Sequence, residues 1–99
     1  MSPTARKEIS EAADYIFKET GNTALVDRWV DKLLDAFALL TLSPEMSPSR
    51  KELRRGLRGH PVGDYIVFYR VHRTEVVIAR VIHQRRDLRK VFPKRQKKR

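Results

Sequence analysis

Arg80, His83, Arg85, Arg86 and Asp87 lie close together near the end of the sequence, and their types could do chemistry together. A histidine that can take or give a proton, beside arginines that stabilise a phosphorane, is the equipment for cutting RNA by transesterification. Each also has a plainer role. A lone histidine at a strand end is commonly a hydrogen-bonded structural residue, and Asp87 behind two arginines serves as a turn cap or ion-pair partner. As metal ligands His83 and Asp87 lack a third donor nearby, so neither a metal nor a cofactor is expected.

The elements that must hold these residues are two strands. Tyr65 to Val71 and Val76 to His83 are rich in Val, Ile, Tyr and Phe and are separated only by His72 to Glu75, which predicts an antiparallel hairpin. Neither run alternates cleanly. Tyr65, Val67, Tyr69 and Val71 point one way and Ile66 and Phe68 the other, so both faces of the sheet need cover. One further strand is expected from Glu52 to Gly59, with Leu53 and Leu57 as its apolar positions, ending in a turn at His60-Pro61-Val62-Gly63. Arg54, Arg55 and Arg58 are then either its solvated side or a functional basic surface.

Ahead of the strands lie two helices. Ser2 as N-cap, Pro3 at the first helical position and Gly21 as terminator bound the first, which carries Ala5, Ile9, Ala12, Ala13 and Ile16 at helical spacing. Asn22 caps the second, whose stripe is Val26, Trp29, Val30, Leu33, Leu34, Phe37 and Leu40. The expectation is a helical hairpin, Pro3 to Thr20 and Thr23 to Leu42, laid on one face of the sheet. The proline and serine segment Leu42 to Ser49 stops the second helix and crosses to the strands.

With 99 residues this is one small domain, expected over residues 1–93, with a basic, disordered tail over 94–99. The absence of cysteine excludes a disulfide framework and a thiolate metal site and suits a reducing cytoplasm. No apolar leader and no run of the ~20 apolar residues needed to span a bilayer is present, so no membrane partner is expected. Charge is sharply divided. Met1 to Glu45 holds 5 basic and 8 acidic residues, whereas Arg50 to Arg99 holds 17 and 4. A basic half of this kind attracts nucleic acid nonspecifically, or an acidic protein segment. No helix-turn-helix, zinc or interleaved aromatic pattern supports sequence-specific nucleic-acid binding.

Tyr-Ile-Val-Phe-Tyr-Arg followed by Ile-Ala-Arg-Val-Ile-His-Gln-Arg-Arg-Asp resembles the C-terminal signature of the ParE branch of the RelE/ParE toxin superfamily. Ser2-Pro3-x-Ala5 is similar to the start of that family's first helix, and Glu52 to Arg58 to its second strand. The resemblance implies an α+β fold, a helical hairpin packed on a small antiparallel sheet. Family members begin with a strand ending just before the Ser-Pro motif. Here Met1 holds that position, so either Met1 is internal or the first family strand is missing and a sheet edge lies open.

The RNA-cleaving branch carries an arginine after the tyrosine that starts the Gly-x-Tyr strand, and a tyrosine in the C-terminal segment. Here Ile66 and Phe92 take those places. The resemblance therefore implies a toxin of a toxin–antitoxin pair that inhibits DNA gyrase by binding, not by catalysis. It also implies a small cognate antitoxin, with a DNA-binding domain and an extended tail, in a hetero-oligomer. Arg80, His83, Arg85 and Arg86 are the expected target contacts, and Trp29, Arg54, Arg58 and Arg70 the expected antitoxin contacts. The alternatives are a RelE-type ribonuclease, which would need Arg54, Arg58, Arg80, His83 and Arg86 for catalysis, and a non-toxic basic relative stabilised by its partner.

Overall fold

The computed structural model describes residues 1–93, so the expected tail over 94–99 lies outside the described residues. Helices α1 (Pro3–Thr20) and α2 (Thr23–Leu42) lead into a three-stranded antiparallel sheet, β1 (Arg58–Val62), β2 (Tyr65–His72) and β3 (Glu75–His83), followed by a short helix, α3 (Leu88–Val91). The strands lie in the order β1-β2-β3.

Local chemistry sets the helix ends. The Ser2 side chain accepts the Ala5 N–H at 3.0 Å, and Gly21, at φ 62, ends α1 with its own N–H given to Phe17 O at 2.7 Å. Only glycine enters that left-handed region without a Cβ penalty. Asn22 caps α2 by accepting the Ala24 N–H.

The sheet has two cores. On the helix side Ala5, Ala12, Trp29, Leu33, Ala36 and Leu40 pack on Val67, Tyr69, Ile78 and Val81. On the other side Leu57, Phe68, Ile82 and Phe92 form a second cluster, joined by Leu53, Ile66, Ala79, Leu88 and Val91. The second face of the sheet is thus covered by the 50–57 loop and by α3, and needs no partner to cover it. Both faces are covered, as the alternation of the strands required.

The strand expected over Glu52 to Gly59 is displaced. Residues 51–56 form turns, and the strand begins at Arg58 and runs through the segment read as a turn. Pro61 misled that reading. The register pairs His60 with Val67 and Val62 with Tyr65, while the Gly59 N–H points away from β2 to Pro48 O at 3.2 Å. Pro61 shares the parity of Gly59, so its missing N–H falls on the outer edge, where it breaks no ladder bond. The turn is the two-residue Gly63-Asp64, with Gly63 at φ 59.

On the far edge, β3 carries a bulge. Phe68 pairs with Arg80 and Tyr69 with Ile78, which leaves Ala79 as the extra residue. Ser2 closes this stretch. Its N–H donates to Ile78 O at 3.0 Å and its hydroxyl to Ala79 O at 2.7 Å, so the cap of α1 also fastens the helix to the bulge.

Candidate functional site

Arg80 leaves β3 beside Phe68 and turns around the sheet edge to Glu8 of α1. Its Nε and Nη2 donate to the Glu8 carboxylate at 2.7–3.1 Å, and the Val81 N–H adds a bond of 2.9 Å to the same group. Charge-assisted, forked geometry of this kind is the strong form of the interaction. Glu8 was not legible as a site residue, although there was a signal. It sits three residues after Ala5 and four before Ala12, on the stripe that α1 buries.

The arginines of the other face stack on aromatics. The guanidinium carbons of Arg54 and Arg80 lie 5.8 and 5.9 Å from the Phe92 centroid, and that of Arg50 lies 5.7 Å from Phe68. Arg54 also donates to Leu53 O and Pro93 O, tying the 50–57 loop to the end of the described chain. Phe68 and Phe92 meet edge to face at 5.1 Å. The C-terminal segment is thus held by ring packing and cation–π attraction, each contact worth ~0.5–1.5 kcal/mol.

His83 faces the helix side. Its ring packs edge-on against Tyr65 at 5.0 Å, and Tyr65 packs on Trp29 at 5.1 Å. His83 Nδ1 accepts the Arg85 N–H at 3.1 Å, so in the neutral ring the proton rests on Nε2. Burial raises the Tyr65 phenol above its usual range, helped by the neighbouring Tyr15 and Asp64. Arg85 and Arg86 are exposed in the turn after β3. Asp87 accepts the Arg89 N–H and caps α3, its bland role.

The structure does not bring the candidate ribonuclease residues together. Arg54 lies against Phe92 on the second face, while His83 and Arg86 border a hollow on the helix side together with Tyr65 and Glu8, the acid that takes up Arg80. Arg58 pairs with Tyr69, four positions along β2 from the Tyr65 that pairs with His83. At ~3.3 Å per residue that is ~13 Å along the sheet, with a strand between. Arg58 gives Nη1 to Ser47 O and Glu45 O. Where the cutting branch needs an arginine and a tyrosine, Ile66 is half-buried and Phe92 is buried.

Trp29 is 7% exposed, so it is a core residue and offers no anchor on the surface. Arg70 is exposed, as the expected antitoxin contact requires. Large apolar side chains exposed elsewhere include Phe17, Leu34, Leu39 and Leu42 on the two helices. Among the described residues no group of three His, Cys, Asp or Glu side chains could hold a metal ion, and no helix is long and apolar enough to cross a membrane.

A family model described as the ParE toxin of the type II toxin–antitoxin system, parDE, matches residues 1–88. A comparison with curated proteins returns no match.

Proposed function

The chain belongs to the ParE toxin family of type II toxin–antitoxin systems, and from that premise we propose that it inhibits DNA gyrase by binding and that a cognate antitoxin neutralises it. The observation that supports binding over cutting is the dispersal of the arginines and histidine over both faces of the sheet, with Arg80 committed to Glu8. A phosphorane needs its proton donor and its cations around one reacting atom. The exposed turn with Arg85 and Arg86, beside the rim of His83, is the target contact. Arg80 contributes by holding the strand end in place.

The antitoxin lays apolar side chains over the exposed residues of α1 and α2 and sets acids against Arg54, Arg58 and Arg70. Apolar burial dominates that affinity and the charges speed association, so added salt slows binding more than it hastens release. The family implies such a partner, and it carries an extended tail and a DNA-binding domain.

The test is expression in bacteria together with a supercoiling assay on purified gyrase. DNA breaks with an SOS response, and inhibition lost in a folded variant carrying Arg85→Ala and Arg86→Ala, are expected. Arrest of translation without DNA damage would instead establish the ribonuclease, and unaffected growth the non-toxic relative.

A further inference from the structure

Between α1 and the Gly63-Asp64 turn lies a cavity of about 210 Å³, walled by Tyr15, Ile16, Trp29, Asp64, Tyr65 and His83. Sites for drug-sized ligands begin at ~300 Å³, so this one has the size for a single side chain. Three of its walls are aromatic rings of Tyr or Trp, whose faces attract cations within ~6 Å. Asp64 is the one carboxylate in the wall. Its only hydrogen bond from a side chain among the described residues is a long one, 3.5 Å from the Gln84 amide, so its acceptor capacity is largely unused.

Charge around the cavity points the same way. A wider hollow of about 480 Å³ shares Tyr15, Ile16, Asp64 and His83 and adds Glu19 and Leu25 at its rim. Arg85 lines this outer hollow but not the inner cavity. On a chain of net charge +10, the cavity is a local acidic spot with an aromatic lining. A nucleotide's phosphate would meet the carboxylates of Glu19 and Asp64 against the one arginine, Arg85, at the entrance, and Asp64 alone inside, which disfavours it.

The wall is also incomplete as it stands. Trp29 Nε1 is buried with no acceptor, and the adjoining Cδ1 is the nearest atom to the place where a side chain at Gly63 would begin, at 3.8 Å. The indole N–H edge is therefore turned toward the turn that closes the cavity. A buried donor without a partner costs ~1–3 kcal/mol, so the wall beside the Gly63-Asp64 turn carries a polar defect.

We propose that this cavity receives one arginine side chain of a partner protein, its guanidinium stacked on the tyrosine rings and paired with the Asp64 carboxylate. Arginine fits better than lysine because its flat group stacks and forks onto a carboxylate at once. The assignment does not depend on the toxin reading.

Trp29 is the sole tryptophan, so its fluorescence reads the cavity directly. The full chain is titrated with N-acetyl-arginine amide, with its uncharged isostere N-acetyl-citrulline amide, and with guanosine monophosphate. A saturable emission change is expected for the arginine amide at ~1 mM, the range of a single side chain. It should be at least ~10-fold weaker for citrulline, a gap of ~1.4 kcal/mol, and be lost in Asp64→Asn. Tyr15→Leu, at a half-exposed ring, gives a second variant should the turn prove sensitive. Absence of any saturable change, equal response to citrulline, or tighter binding of the nucleotide would each overturn the proposal.

Discussion

Glu8 and Arg80 lie seventy-two residues apart in sequence, yet their side chains meet at 2.7 Å, and the same carboxylate takes the Val81 N–H. One acid therefore both pairs the arginine and satisfies the edge of β3, where an open strand would otherwise offer its N–H to another chain. The expected open edge is in this stretch partly closed from within, by Ser2 and Glu8.

Glu8→Ala leaves a partly buried guanidinium and a strand N–H without their acceptor. Loss of a charged partner of this kind costs ~2–3 kcal/mol, scaled down from the fully buried case because the Arg80 side chain is 26% exposed. Urea unfolding should show the midpoint falling with the slope unchanged. A change below ~0.5 kcal/mol would mean that water replaces the pair. For the same reason Arg80→Ala is unsuitable as a test of target contact, since it loosens α1 from β3.

How much of this was legible follows from where each signal lies. Both helices were readable to the residue because Ser2, Gly21 and Asn22 are caps whose chemistry is local. The β2–β3 hairpin was readable from its composition. The place of β1 was not, because the edge parity that makes Pro61 harmless is a property of the pairing and not of the segment. The cover of the second face was hidden too. Leu53 and Leu57 lie in the irregular 50–57 loop and Leu88 and Phe92 in and just after a four-residue helix, segments too short to show a period. At the candidate site the clustering of Arg85 and Arg86 after β3 was visible, whereas the diversion of Arg80 to Glu8 depends on a long-range contact.

Phe92 tests whether the chain covers its own second face. It is buried against Phe68 and carries two guanidiniums. Phe92→Ala should destabilise the isolated chain by ~3 kcal/mol, at the low end for core aromatics because the segment around it can relax. Denaturation of the free protein decides this. An effect seen only in a complex would return the cover of that face to a partner.

Arg73 occupies the β2–β3 turn at φ 59 and is the one non-glycine residue with positive φ among those described. Holding an L-residue there costs ~1 kcal/mol, which glycine avoids. Arg73→Gly should therefore raise stability by ~0.5 kcal/mol, the remainder being lost to the freer unfolded chain. Thermal unfolding of the two proteins gives the sign, and a lower midpoint for the glycine variant would show that the arginine makes a compensating contact.

Tyr65 supplies a pH dependence with a definite sign. Its phenol is raised above the ordinary tyrosine value of 10.0, chiefly by burial and then by Tyr15 and Asp64. The folded state therefore holds the proton more tightly than the unfolded chain. Stability from this group is fully present below the unfolded pKa and is lost as pH rises through the folded one. The loss should begin above about pH 10, the ordinary tyrosine range. Tyr65→Phe cannot ionise, so its stability should fall less steeply over that window, once both proteins are measured in the same buffers by denaturant unfolding. Tyrosinate absorbance of the wild type should include a phenol step above the ordinary tyrosine range that the variant lacks. Parallel stability curves for the two proteins would mean that Tyr65 ionises as readily folded as unfolded, and that the ring reaches water through the cavity beside Asp64.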